Sequence, residues 1–244
     1  MIREVVILTM SSKNHGYCVA GIDLQNGEWI RLVSDDADTH GALSKEDVRY
    51  SDGVCCKPLD VVRVAIDQYT PIEHQPENAL IDSTKYLKKI GTIDIESVLE
   101  IHPAEYHDVL LGNQYAYITE AGIYKVSESL ILVKVSDLTI NHPSEWSTKA
   151  SFTYRGMQYS NMAVTDPEYY TEPNNHHVNK AILVISLPDS PQNDKYYRNL
   201  LGGLYRENPV KSRNYEAVKS SKKWENVGNS YIIPALLLYR YSYI

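Results

Sequence analysis

The apolar positions of this chain fall into short runs and period-two alternations, and the same series of them occurs twice. The first series opens on the bare apolar run Val5-Val6-Ile7-Leu8 and continues as Tyr17-Cys18-Val19-Ala20-Gly21-Ile22-Asp23-Leu24. It turns at Asn26-Gly27 into Trp29-Ile30-Arg31-Leu32-Val33-Ser34-Asp35 and returns as Leu59 to Ile66. The second opens at Leu130 to Val135 and continues as Ala150-Ser151-Phe152-Thr153-Tyr154. It turns at Arg155-Gly156 into Tyr159 to Asp166 and returns as Ala181 to Leu187. Stretches this short, bounded by Gly, Asn and Asp, read as strands, and Asn-Gly is a strong hairpin signal. Both third strands end in Val-[Ser/Thr]-Asp. The pattern predicts a mainly β protein with accessory helices, built as two small β-barrels by internal duplication. The first barrel, with inserted helices, is expected over residues 1–120 and the second over 121–244, the halves meeting near 112–128.

Four helices are expected between or after these strands. Ser44 and Asp47 have the spacing of a capping pair for a short helix ending by Ser51-Asp52-Gly53. Ile95, Val98, Leu99 and Ile101 fit one or two helical turns. Pro103 suits the first turn of a helix running to Leu111 and stopped at Gly112-Asn113. Asp194 to Arg206 reads as a helix containing Gly202-Gly203. Each of those glycines costs about 1 kcal/mol in a helix, so either the backbone is closely approached there or the helix breaks. Residues 70–92 read as irregular, and Tyr231 to Ile244 as a strand closing one of the sheets.

Composition narrows the class. A chain of 244 residues with 43% hydrophobic content builds a packed core. No apolar run approaches the ~20 residues that span a bilayer, and Met-Ile-Arg-Glu lacks the order of a secretory leader, so no membrane association is expected. Cys18, Cys55 and Cys56 are too few for a disulfide framework and wrongly spaced for zinc, which points to free thiols and a cytoplasmic location. The formal net charge of −7 argues against indiscriminate polyanion binding. The charge is unevenly placed, however: residues 1–125 hold 11 Lys and Arg against 20 Asp and Glu, and residues 195–244 hold 9 against 3. Tyrosine is over-used, 20 against a single Phe. A buried Tyr must satisfy its hydroxyl, so many of these rings are expected at half-exposed positions that suit stacking on a planar ligand. A plain preference for Tyr on exposed sheet faces explains the count equally.

Two constellations suit binding. Tyr17, Trp29 and Arg31 lie in the first series, with Trp29 and Arg31 on one strand face, and Tyr154, Arg155 and Tyr159 are their counterparts in the second. An aromatic beside an arginine stacks a base and pairs its phosphate. The competing reading makes Trp29 a core anchor and Arg31 a rim residue. Lys195-Tyr196-Tyr197-Arg198 opens a basic, aromatic segment that continues through Tyr205-Arg206, Lys222-Lys223-Trp224 and Tyr239-Arg240-Tyr241. Such interleaving suits single strands better than duplex, though it also describes a solvated helix face. The loop Asp35-Asp36-Ala37-Asp38-Thr39-His40 is a weak candidate for Mg²⁺ or Mn²⁺, with Asp36, Asp38 and His40 as ligands, or a solvated loop. His176-His177 lacks an assignable third ligand. No nucleophile elbow, Walker loop or dinucleotide fingerprint is present, and no cofactor is expected.

Val19-Ala20-Gly21-Ile22-Asp23-Leu24 followed by Gly27-Glu28-Trp29-Ile30-Arg31-Leu32-Val33-Ser34 resembles the opening of the bacterial dual OB-containing domain family. Leu59-Asp60-Val61-Val62, Gln75-Pro76-Glu77-Asn78 and Lys195-Tyr196-Tyr197-Arg198 extend the resemblance over most of residues 1–206. It implies two OB-like barrels and a role in binding nucleic acid or nucleotides, in bacterial defence or repair. The expected function is non-catalytic binding of single-stranded nucleic acid or a nucleotide-like ligand, with Trp29, Arg31, Tyr154 and Tyr159 clamping and Lys195 to Arg198 meeting phosphates. A metal-dependent enzyme acting on a nucleotide or nucleic acid, and a protein-binding adaptor, are the alternatives. Gln75 to Asn78 is either a site or a structural clasp.

Overall fold

The computed structural model describes residues 1–206 apart from Asn14 and Asn193. The strand expected at Tyr231 to Ile244 and the cations after Arg206 lie outside these residues. In chain order the strands are β1 (Ile2–Lys13), β2 (Gly16–Asp23), β3 (Trp29–Val33), β4 (Asp60–Tyr69), β5 (Asn78–Ile81), β6 (Lys88–Thr92) and β7 (Tyr117–Thr119). There follow β8 (Leu130–Ser144), β9 (Ser147–Tyr154), β10 (Met157–Val164), β11 (His176–Ser186), β12 (Tyr196–Arg198) and β13 (Leu200–Arg206).

Five strands close the first ring in the order β1-β2-β3-β5-β4, with β4 returning to β1 and β6 added outside. The second ring closes as β8-β9-β10-β13-β11. The two orders are the same, and in each the third and fifth strands run parallel. The internal duplication is therefore real, and each unit is a five-stranded OB-type barrel. Both hairpin turns after the second strand use a left-handed backbone: Gly27 has φ +75°, and Arg155 and Gly156 have +51° and +80°, as tight turns require.

The bare apolar runs have a simple cause. Val5 and Ile7 point into the first barrel, whereas Val6 and Leu8 point outward to a core shared with the second. Ile131 and Val133 fill the second barrel, and Leu130 and Leu132 join the shared core with Ile182 and Val184. A strand buried on both faces loses its alternation. The barrels thus pack wall to wall. Where β13 crosses β1, a Cβ on Gly203 would sit 2.5 Å from the Leu8 carbonyl oxygen, and one on Gly202 2.7 Å from Thr9 Oγ1. Thr9 Oγ1 donates to the Gly202 carbonyl at 2.6 Å, and the Tyr205 hydroxyl donates to that of Leu8 at 2.6 Å.

That contact corrects the helix expected from Asp194 to Arg206. The glycines permit close backbone approach, and the segment is β12 and β13, the latter completing the barrel. The helix expected from Pro103 to Leu111 is also replaced by irregular chain. Its backbone finds partners in the second barrel instead: Glu105 N–H donates to Leu132 O at 2.7 Å, His107 N–H to the Tyr154 hydroxyl and Leu110 N–H to the Tyr159 hydroxyl. At Ser44 the capping pair forms, with Ser44 N–H donating to Asp47 Oδ2 at 2.7 Å, but only a turn follows. Residues 78–81, expected to be irregular, are the fifth strand of the first barrel. The helix near 95 is present as α1 (Ile95–Ile101), capped by Asp94, whose carboxylate accepts from Ser97 N–H at 2.7 Å.

The Val-[Ser/Thr]-Asp motif ends differently in the two barrels. Asp166 is buried and its Oδ1 accepts from Glu168 N–H at 3.1 Å. Burial pushes its carboxyl up to about 6, the capping bond opposing this. The folded carboxyl gains its proton near pH 6 and the unfolded one near about 4, so stability rises as pH falls through that window. Above pH 7 the buried charge costs up to about 3 kcal/mol. Asp166→Asn, which keeps a capping oxygen, should add about 1–3 kcal/mol at pH 7.5 and nothing at pH 4, read by urea unfolding at both. An equal effect at the two pH values would refute this assignment.

Candidate functional site

Two grooves occupy the same face of the two barrels, over the second and third strands and beside the connection into the fifth. In the second barrel the groove has a volume of about 500 Å³. Lys149 of β9, Gln158 to Ala163 of β10, Gln114 to Tyr117, and Gln192, Arg198 and Asn199 form its walls. β7 and β12 pair antiparallel along its rim, placing Tyr117 opposite Arg198. The alternation of the strands puts rings in series: Tyr115 stacks on Tyr117 with centroids 5.5 Å apart and planes at 14°, and Tyr117 meets Tyr196 at 4.8 Å. Tyr115 is exposed and the other two half-buried. Arg198 is tethered rather than buried, its Nε donating to Gln192 Oε1 at 2.8 Å and its Nη2 pairing with Asp194. Beneath, Asn199 is 1% exposed, and neither atom of its amide has a partner among the described residues.

The first groove, about 490 Å³, lies between the barrels. Its floor is β3 with Cys18 of β2 and Ser11 to Lys13 of β1, and its far wall is the Ser186 to Gln192 segment of the second barrel, so Gln192 borders both grooves. Arg31 is 4% exposed on this floor. Its Nε pairs with Glu77 at 3.2 Å, Nη1 donates to Cys18 Sγ at 3.0 Å, and Nη2 donates to Ser129 Oγ at 2.7 Å. Ser129 in turn donates to Glu77. Burial pulls the guanidinium down, but Cys18 and Glu77 more than offset it, and it is held above its ordinary value. Gln75 Nε2 donates to Leu187 O across the groove at 3.0 Å, and Asn78 Nδ2 to Gln75 Oε1 at 3.1 Å. Lys13 pairs with Asp189 at 3.3 Å at the mouth. Gln75 to Asn78 therefore clasps the barrels and also lines the groove.

Trp29 and Arg31 do share a face, but that face meets the second barrel. Trp29 Nε1 donates to Glu105 Oε1 at 2.9 Å, and the ring packs edge-on against His102 at 5.4 Å. Tyr17 lies apart from both, packed against the core of the first barrel. Tyr154 and Tyr159 are buried in the second core, each hydroxyl engaging the chain between residues 107 and 113. Arg155 lies 3.7 Å over the Tyr106 ring and bonds His107 O and Asp108. Of Lys195 to Arg198, only Arg198 lines the second groove, Tyr196 lies next to it against Tyr117, Lys195 is exposed, and Tyr197 turns in against His74 at 5.2 Å. Tyr115, Tyr117, Lys149 and Asn199 escaped the sequence reading; the alternation Tyr115-x-Tyr117 was the available signal. In the acidic loop, Asp36 Oδ1 accepts from Asp38 N–H at 2.9 Å, and His40 borders the first groove. Among the described residues no group of three or more His, Cys, Asp and Glu is placed to share a metal, and no helix is long and apolar enough to cross a membrane.

No curated protein matches the chain. Among solved structures it is similar to a chain from work on structural mimicry for functional antagonism, at 11% identity and TM-score 0.34, covering 83% of this chain and 89% of that one. It is also similar to a murine DNA-binding protein bound with double-stranded DNA, at 7% identity and TM-score 0.30, covering 85% and 98%. A third is the Ifi202 HINa domain in complex with 20-bp double-stranded DNA, at 10% identity and TM-score 0.32, covering 85% and 97%. Overlaps this loose carry no inference about a ligand. The family model for the dual OB-containing domain matches residues 3–202, a span that takes in both grooves and both barrels up to the first residues of β13, and the chain belongs to that family.

Proposed function

We propose that this protein binds single-stranded nucleic acid along the groove of its second barrel, without chemistry of its own. The carrying observation is the series Tyr115-Tyr117-Tyr196 on the rim of that groove. Accessible rings in sequence, one exposed and two half-buried here, stack successive bases of any identity, and each contributes about 1–3 kcal/mol. Lys149 stands beside them for phosphate, next to Arg198 held by Asp194. The face is the one OB barrels use for oligonucleotides. Duplex DNA presents its bases already stacked, so rings set in series favour an unpaired strand.

Fluorescence anisotropy with a labelled oligonucleotide of about 12 nucleotides tests this. Tyr117→Ala should weaken binding about 10- to 100-fold with the fold intact. Lys149→Ala should flatten the dependence of log K on log salt by about 0.7, the contribution of one phosphate contact on a single strand. Wild-type affinity in Tyr117→Ala would remove the site.

A further inference from the structure

The duplication carries one residue to the same place in both grooves. Val33 and Val164 open the repeated Val-[Ser/Thr]-Asp, and they pair in parallel with Leu80 and Leu201. Two residues before those leucines stand Asn78 and Asn199, at the entry to the fifth strand of each barrel. Both are buried, at 7% and 1% exposure, both line the groove of their own barrel, and in both the amide oxygen has no partner among the described residues. A buried acceptor left unpaired is unusual, and here it recurs at equivalent positions.

We propose that the inter-barrel groove is a second ligand site, twin to the groove of the second barrel, in which Asn78 holds a nucleobase by its edge as Asn199 does in the other. The ligand class rests on the reading given under Proposed function. Asn78 retains its Oδ1 and one N–H, since the other N–H goes to Gln75. An acceptor beside a donor matches the adenine edge, with its amino group next to a ring nitrogen. The two sites differ in charge. In the second groove Arg198 is held by Asp194, but Lys149 has no ion pair among the described residues. At the first groove Arg31 is neutralised by Glu77 and Lys13 by Asp189, so among the described residues no lysine or arginine lining it is left over for phosphate. This site takes an uncharged base or nucleoside, and its volume of about 490 Å³ is within the small-ligand range.

Isothermal titration of the full chain with adenosine tests the proposal. Two adenosines per chain are expected, and one in Asn78→Leu. Ser12→Trp, a rim change on an exposed residue, should likewise leave one if Asn78→Leu fails to fold. Adenosine 5′-monophosphate should bind the first groove no tighter than adenosine, and uridine at least about 10-fold more weakly. A stoichiometry of one in the wild type, or two retained in both variants, overturns the proposal. So does adenosine that fails to bind a protein that binds oligonucleotides, which leaves the reading of the second groove standing. Failure of both ligands ends both.

Discussion

Arg31→Met should lower the unfolding free energy by about 3–5 kcal/mol, the cost of leaving one member of a buried ion pair alone. Arg31 lies on β3 of the first barrel, Glu77 on the connection into β5, and Ser129 at the threshold of the second barrel, with all three mutually bonded. Removing the guanidinium leaves the Glu77 carboxylate, 7% exposed at its side chain, with Ser129 and no countercharge. The loss is therefore mainly the uncompensated anion and not the absent attraction. The double change Arg31→Met with Glu77→Leu should recover most of it, because an apolar pair of similar volume needs no partner. Urea unfolding of the wild type, the single and the double variant checks this. A double variant as unstable as the single one would mean that packing, not charge, accounts for the loss. If Arg31 were a free ligand-binding cation, its removal would cost little stability.

Gly203→Ala should destabilise by about 2–4 kcal/mol. The added Cβ meets the Leu8 carbonyl oxygen at 2.5 Å, and that atom is backbone in a strand fixed on both faces. Overpacking costs about 1–3 kcal/mol, and the displacement also strains the Tyr205 and Thr9 bonds between the walls, each worth about 1 kcal/mol. Gly91→Ala is the control: nothing lies within 4 Å of its Cβ, and its effect should stay within about 0.5 kcal/mol. Equal melting of the two variants would show that β13 does not press on β1.

Much of the fold is legible in the residues. The doubled series located most of the barrel strands because strand periodicity and turn chemistry are local. The fifth strands were harder. Asn78-Ala79-Leu80-Ile81 is only four residues long, and Leu200-Leu201-Gly202-Gly203 carries glycines that weaken any strand pattern. Both owe their form to pairing with distant strands, parallel with the third and antiparallel with the fourth. The stretch from Pro103 to Leu111 has the start and stop signals of a helix, but the hydroxyls of Tyr154 and Tyr159 claim the amides of His107 and Leu110, a contact invisible along the chain. The site divides in the same way. Lys195 to Arg198 stands out by composition, and one of its four residues, Arg198, lines the groove, with Tyr196 beside it. Trp29 and Arg31 do lie on one face, but no spacing tells an outward face from one covered by a second domain. The abundance of tyrosine likewise divides, some rings serving as buried clamps and some as a half-buried to exposed series. The equivalence of Asn78 and Asn199 is written in Asn-[Ala/Leu]-Leu, too short to notice until the strand register is known.

The most direct test of the account is where a single strand touches the chain. Photocrosslinking a 5-iodouracil oligonucleotide to the full protein, followed by mass spectrometry of the adducts, should place them on Tyr115, Tyr117 and Tyr196. Adducts confined to residues away from that rim, such as Tyr86 or Trp146, would contradict it.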